Sequence, residues 1–260
     1  KGRIYLLHKT GYIKLDTLHP KLRDSKRLLT REPYPINEIP EEVIRKIGRK
    51  FIYMLCVGHK DLTGDDWGNV FAEAIGGEHL QSPVGIADVV FDKMAWSMKT
   101  VKTPNPHREE ASIRLISGRC SPDYSYGITD PHEDIEKTGR AVLNIWNERV
   151  NIAQDYYNPL RTSILVRSND LLTYTLFEEE NHRYVANRYR WEENRNGNLI
   201  GIDIESGETC FTWQPHGSQF TIHIRVPQNA VKFKIKQPPK LDVEETLKQI
   251  NYSDDWVEIL

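Results

Sequence analysis

The chain has 260 residues, of which 38% are hydrophobic and 28% charged, and its formal net charge is -2. This length and apolar content suffice for one large domain or two small ones with a buried core. The near-neutral balance excludes a strongly basic protein, so any nucleic-acid surface has to be local. Three widely spaced cysteines favour neither a disulfide framework nor a CxxC metal site. Because no apolar run approaches the roughly 20 residues of a membrane helix and no signal-peptide pattern is visible, we expect a cytoplasmic protein.

The first part of the chain predicts a strand pair and a helix. The segment GRIYLLHKTGYIKL contains two short apolar runs with a turn from Lys9 to Gly11. After a proline-punctuated loop, apolar residues recur at helical spacing from Glu41 to Cys56, with Pro40 suited to the first turn. We expect residues 1–60 to be an N-terminal extension of a single domain that spans residues 1–260.

A second helix and a β-hairpin are predicted next. The helix signal begins around Asp65, and Gly76 and Gly77 should end it. After a turn at Ser82 to Pro83, the runs IADVVF and MAWSM have strand length. Between these two runs, Asp92 to Lys93 suits a tight hairpin turn.

The hairpin carries one acidic and one basic side chain on otherwise apolar strands. Since strand side chains alternate with a period of two, Asp88 shares a face with Val90, and Lys99 shares one with Ser97. An ionised aspartate on an apolar face is costly unless a cation compensates it. Lysine or a divalent metal supplies that charge, and Mg²⁺ favours carboxylates and retained waters. An ordinary cross-strand ion pair explains the same two residues, and the hairpin alone leaves that alternative open.

Glu73 on the predicted helix, Asp88 on one strand and Lys99 on the next resemble the core of the PD-(D/E)xK nucleases. Type II restriction endonucleases are the best-known soluble members of that superfamily at this size. In that family a hairpin presents an aspartate, usually after proline, and then an Asp/Glu-x-Lys triplet. Here Ala87 stands in place of the proline, and Ser97 stands in place of the second acid.

The resemblance implies a restriction-endonuclease-like fold, α/β or α+β, with a mixed β-sheet flanked by helices. It also implies that Asp88, Glu73 and the Met98 carbonyl hold Mg²⁺, while Lys99 acts on the attacking water and offsets transition-state charge. The catalytic motif spans residues 61–103. The acids that could replace the missing carboxylate are Glu73, which we prefer, Glu78, Glu109 and Glu110.

Residues 104–240 predict recognition elements and the rest of the sheet. Beyond the hairpin, the residues expected to contact DNA are Lys102, Arg114, Ser117 and Arg119. The segment TWQPHGSQF predicts a loop with Gln214, His216 and Gln219, whose side chains suit base reading in the major groove. A polar turn that satisfies its own backbone explains this loop equally well.

A long helix and several strands follow. Asp130 is expected as the helix N-cap, with Pro131 in the first turn and Glu133 at the capping-box position. The predicted strands are TSILVR, LTYTLFEEE, RYVANRYRW, NLIGIDI, TCFTW and FTIHIRV. Residues 241–260 predict a helix capped by Asp242 and a tail.

We therefore expect a Mg²⁺-dependent type II restriction endonuclease that hydrolyses double-stranded DNA at a specific sequence. A palindromic site would imply a homodimer, because two centres must address two antiparallel strands equivalently. The alternative is a non-catalytic DNA-binding module with a nuclease-like fold, which Ser97 favours. RNA or damaged DNA as substrate is left open.

Overall fold

The computed structural model describes residues 5–8, 11–14, 31–109 and 111–260. The chain divides into two units, Lys1–Arg31 and Glu32–Leu260. In the first unit, β1 (Tyr5–His8) and β2 (Gly11–Lys14) form an antiparallel pair. The predicted strand pair is thus confirmed, whereas most of its predicted turn lies outside the described residues.

The described part of the second unit contains α-helices and two β-sheets. The helices are α1 (Glu41–Cys56), α2 (Gly64–Ile75), α3 (Pro122–Tyr126), α4 (Ile135–Tyr156) and α5 (Val243–Gln249). The strands are β3 (Glu78–Val84), β4 (Ala87–Phe91), β5 (Met94–Lys102), β6 (Ser112–Arg119), β7 (Leu160–Arg167), β8 (Thr173–Glu180), β9 (Tyr189–Glu193), β10 (Leu199–Asp203), β11 (Thr209–Gln214), β12 (Gln219–Arg225) and β13 (Val231–Lys234). Among the described helices, none combines the length and apolar character needed to cross a bilayer.

The two sheets differ in strand direction. The first has the order β13-β8-β7-β5-β4-β3 and is mixed, because β5 and β7 run parallel while the other neighbours are antiparallel. The second has the order β6-β12-β11-β10-β9 and is antiparallel throughout. The predicted mixed α and β architecture is confirmed at this level.

The two faces of the first sheet pack against different partners. Helices α1 and α2 cover one face, where Trp67 and Phe71 pack with Trp96 in the first core. Helix α4 and the second sheet cover the other face, where Ala95, Trp146 and Phe220 share a second core. Helix α1, which was predicted as part of an N-terminal extension of residues 1–60, contributes Ile47 and Phe51 to the first core.

Several local predictions are confirmed at the residue level. Helix α1 has the predicted bounds, and α2 ends at Gly76, whose φ of 74° is left-handed. A reciprocal capping box between Thr63 and Asp66, which was not predicted, fixes the start of α2. The Asp92 to Lys93 turn joins β4 to β5, and Asp242 caps α5 through the Glu245 N–H.

Other local predictions are wrong. Helix α4 begins later than expected, with Asp134 as its N-cap, because Asp134 Oδ1 accepts from the Lys137 N–H at 2.9 Å. Asp130 instead accepts from the His132 N–H in the preceding turn. Ser82 to Pro83 lies within β3, and the chain turns at Gly85, whose φ is 65°. In RYVANRYRW only the last residues are a strand, and β13 was not predicted.

A close contact joins α4 to the second sheet at Gly139. A Cβ on Gly139 would lie 2.2 Å from the Trp191 ring, so any side chain there has to displace the indole or the helix. We expect Gly139→Ala to lower the free energy of unfolding by about 1–3 kcal/mol through overpacking. Urea denaturation measures this change, and exposed Gly64→Ala, with open space around its Cα, is the control. Equal stability of the two variants would contradict the prediction.

Candidate functional site

Asp88 lies where the pairing between β4 and β5 stops. The last described pair toward this end joins Val89 to Trp96, so Asp88 and Ser97 are the next facing residues, on the α4 side of the sheet. Asp88 Oδ2 accepts from the Met98 backbone N–H at 2.7 Å and from Ser97 Oγ at 3.3 Å. The Asp88 carboxylate thus accepts from the Met98 N–H, which would otherwise need a carbonyl of a neighbouring strand.

Lys99 is two residues beyond Ser97 on the same face of β5. Its side chain is partly exposed, but most of the ammonium's surroundings are protein, and this burial lowers the pKa of Lys99. Asp88 opposes the shift, whereas the positive charge of Arg149 adds to it. Among the described residues, the Lys99 ammonium has no hydrogen-bond or close ion-pair partner. A lysine ammonium that is removed from water, has no bonded partner and lies beside a carboxylate is a candidate catalytic group.

The side chain of Arg149, which is on α4, extends toward the surroundings of Lys99. Its Nη1 donates to the carbonyl oxygens of Ser117 at 3.2 Å and Arg119 at 3.5 Å, near the end of β6. Asp88, Ser97, Lys99 and Arg149 are called the Asp88 cluster below. Sequence reasoning missed Arg149 because it lies on the flank of an amphipathic helix, where an arginine usually faces solvent. No sequence pattern marked it.

Cys120 lies beside Arg149 but is not a candidate nucleophile. Burial raises its pKa to about 11, although Arg149 opposes that shift. The side chain is buried, and the thiol form of a buried cysteine is inert.

The predicted base-reading loop lies next to the end of β6. Gln214 pairs with Gln219 across the β11–β12 hairpin, and Gln219 pairs with Arg119 on β6. Arg119 Nε donates to the Gly217 carbonyl at 3.1 Å, and the exposed His216 is in the same turn. The structure therefore brings together four of the residues that were expected to contact DNA: Arg119, Gln214, His216 and Gln219.

The other three predicted DNA contacts are not presented at this turn. Ser117 is buried, and its Oγ donates to the Leu115 carbonyl at 3.1 Å, so it does not present a hydroxyl to DNA. Arg114 is opposite His223, on the outward side of β6. By strand alternation Lys102 points to the opposite face of β5 from Lys99.

Glu73 is outside the Asp88 cluster. Its Oε2 binds Lys50 Nζ at 2.7 Å, and its side chain is 65% exposed. Glu73 is on α2, which covers the Trp96 face of the first sheet, whereas Asp88 is on the α4 face. The sheet separates the two carboxylates, so the structure does not bring the preferred third acid to Asp88.

Among the other candidate acids, Glu78 has the most suitable position. It pairs directly with Val90 in the β3–β4 register, so it shares a face with Val90 and Asp88. In a regular ladder, diagonal neighbours of this kind have Cβ atoms about 7–8 Å apart or somewhat less, a spacing at which two carboxylates can share a hydrated cation. The β3–β4 register shifts just beyond the pair of His79 and Val89. Glu109 instead pairs with Lys232 at 3.1 Å, and Glu110 lies outside the described residues.

The described residues contain no group of three or more His, Cys, Asp or Glu side chains that could hold a metal ion. The oxygen donors best placed to bind a metal ion are the Asp88 carboxylate and the Met98 carbonyl. In a strand the N–H and C=O of one residue point to the same neighbour. The Met98 carbonyl therefore leaves β5 on the Asp88 side. These hard oxygen donors suit Mg²⁺, which retains several waters.

Comparisons with known proteins were made at the levels of sequence and fold. No protein-family model matches the chain. Neither the curated proteins nor the solved structures include a match.

Proposed function

We propose that the protein is a Mg²⁺-dependent endonuclease that cuts double-stranded DNA at a specific sequence. The observation that carries the proposal is the position of Lys99. Its ammonium lies near the Asp88 carboxylate on one sheet face, and Arg149 connects this place to the β6 end, next to the hairpin turn with Gln214 and Gln219. A cutting centre and a set of base-reading side chains would thus be neighbours.

Each residue of the centre would have a distinct role. Asp88, the Met98 carbonyl and Glu78 would hold Mg²⁺, which would supply Lewis-acid activation of the scissile phosphate. Lys99 would orient the attacking water and offset the charge that develops on the phosphate oxygens. Ser97 Oγ, through its 3.3 Å hydrogen bond, would keep Asp88 oriented in place of the second acid of the PD-(D/E)xK pattern.

The arrangement of elements supports a restriction-endonuclease-like core. Helix α2 precedes the meander of β3, β4 and β5, and α4 then leads to β7, which runs parallel to β5. Recognition of a palindromic site would make a homodimer the working form by symmetry.

A second candidate function is DNA binding without cleavage. Ser97 favours it, because a serine occupies the position of a metal-binding acid in the PD-(D/E)xK pattern. In that case Lys99 would bind a phosphate and Asp88 would only orient the strand end. Both candidates predict DNA binding, and they differ in cleavage.

The deciding experiment is incubation of the purified protein with long unmethylated phage DNA in Mg²⁺, in Ca²⁺ and in chelator. Discrete fragments in Mg²⁺ only, ending at one sequence, are the expected result. Intact DNA in every lane together with a retarded band in Ca²⁺ would establish the binding module. Intact DNA without retardation would reject both candidates.

The choice of the third acid makes a separate prediction. We expect Glu78→Gln to reduce the cleavage rate by about 10-fold or more and to raise the Mg²⁺ concentration needed for half-maximal activity, because one metal ligand loses its charge. Glu73→Gln, which breaks only an exposed ion pair with Lys50, should cleave normally. Magnesium titrations of cleavage for both variants check this. The reverse order of effects would restore Glu73 as the ligand.

A further inference from the structure

Arg149 joins three parts of the protein that are far apart in sequence. It belongs to α4, its Nη1 donates to two carbonyls near the end of β6, and its charge acts on Lys99 of β5. The two carbonyls, those of Ser117 and Arg119, flank Gly118. The end of β6, where its register with β12 shifts, is therefore held by a side chain that also borders the Asp88 cluster.

Gly118 permits this close contact because it has no side chain. Its φ is 100°, a conformation that residues with a side chain rarely adopt, and a Cβ there would lie 2.4 Å from Arg149 Nη1. The guanidinium therefore lies directly against the backbone of β6. Any larger residue at this position would push Arg149 away from the strand.

The end of β6 is in turn bonded to the hairpin turn between β11 and β12. Arg119 Nε donates to the Gly217 carbonyl at 3.1 Å, and the Cys120 N–H donates to the Ser218 carbonyl at 2.8 Å. Residues 117–120 and 214–219 consequently form one hydrogen-bonded unit, which we call the reading unit. Among the described contacts, Arg149 is the charged side chain that bonds this unit to α4.

We propose that Arg149 is a positioning residue that sets the place of the reading unit relative to Lys99, and thereby determines sequence discrimination. This inference rests on the proposed function. It assigns to a residue of α4 the task of keeping the base-reading side chains and the cutting centre at a fixed distance. Small displacements of reading groups are costly for discrimination, because hydrogen bonds to base edges tolerate little change in geometry.

The test uses four variants with intact wild-type protein as reference. Arg149→Met removes the guanidinium and keeps most of the apolar stem, whereas Arg149→Lys keeps the charge without the fork. Gly118→Ala keeps the guanidinium and displaces it. Arg140→Met makes the same chemical change at an exposed position of α4 and serves as the control.

Two readouts are combined. The first is selection of bound sequences from a random duplex pool in Ca²⁺, which needs no cleavage, and the second is amide hydrogen exchange of residues 117–120 and 214–219 without DNA. Arg149→Met and Gly118→Ala should bind DNA but lose most of the preference for the wild-type consensus, which is normally about 5-fold to 150-fold per base pair. The reading unit should exchange faster in both variants. Arg149→Lys should recover part of the preference, and Arg140→Met should match wild type.

The possible outcomes distinguish failure of the Arg149 positioning role from failure of the proposed nuclease function. Unchanged preference in Arg149→Met overturns the inference, whether or not exchange increases, since a structural brace alone would give faster exchange. Lost preference with unchanged exchange also overturns it, because Arg149 would then read DNA directly. Selection of a consensus by a wild-type protein that never cleaves would overturn the nuclease proposal alone. A wild-type protein that selects no consensus would overturn both.

Discussion

Replacing Lys99 by methionine is expected to reduce the DNA cleavage rate by about 100-fold or more while leaving DNA affinity in Ca²⁺ nearly unchanged. The loss follows from removing one electrostatic stabiliser from a site that is partly shielded from water. The same change should leave the free energy of unfolding equal or higher, because the buried ammonium has no bonded partner among the described residues. Single-turnover cleavage, DNA retardation and urea denaturation measure the three quantities.

Lys93→Met is the matched control, since Lys93 is an exposed lysine in the turn of the same hairpin. It should leave cleavage, binding and stability near wild-type values. If Lys99→Met lost binding and cleavage equally, Lys99 would be a phosphate contact. If it unfolded the protein, Lys99 would be a structural residue, and the nuclease proposal would lose its main support.

Replacing Glu178 by alanine is expected to lower the free energy of unfolding by about 3–5 kcal/mol, because it leaves buried partners without their acceptor. The Glu178 side chain is 0% exposed, and its Oε2 accepts from Arg161 Nη1 at 3.2 Å. Its Oε1 accepts from the Tyr34 hydroxyl at 2.9 Å and from Trp96 Nε1 at 2.8 Å. Burial raises the pKa of Glu178, and the Arg161 charge opposes this.

Urea denaturation checks this second prediction. Glu178→Gln should cost less than Glu178→Ala, because the amide oxygen retains one acceptor for the buried donors. Glu73→Ala, which breaks an exposed ion pair, should change stability by at most about 1 kcal/mol. A small effect of Glu178→Ala would mean that Arg161 is adequately neutralised by Glu32, which accepts from its Nη2 at 2.6 Å.

Local sequence patterns were sufficient to predict most of the helices and strands. The helical spacing of apolar residues predicted α1 with its observed bounds, and the left-handed glycine Gly76 ends α2 as expected. The Asp92 to Lys93 turn and the alternation along the two hairpin strands placed Asp88 and Lys99 on one face. These features depend on neighbours within a few residues, so a sequence window contains the information that determines them.

Choices between similar local signals were less predictable. Asp130 and Asp134 both suit a helix N-cap, and α4, which packs against the second sheet, begins at Asp134. Glu178 begins the acidic run of residues 178–180, which suggests exposure, yet its side chain is buried beside Arg161. In both cases competing positions have nearly equal local preference, so contacts with distant residues decide.

The sequence by itself determined the hairpin, its two charged residues and the amide-bearing turn of residues 214–219. Only the tertiary structure decided which acid shares a sheet face with Asp88, because Glu73 and Glu78 both precede the hairpin but lie on opposite sides of the sheet. It also decided that Arg149, some fifty residues along the chain from Lys99, borders the same cluster. A side chain's sheet face and its distant neighbours follow from how strands and helices pack, and that packing depends on the whole chain at once.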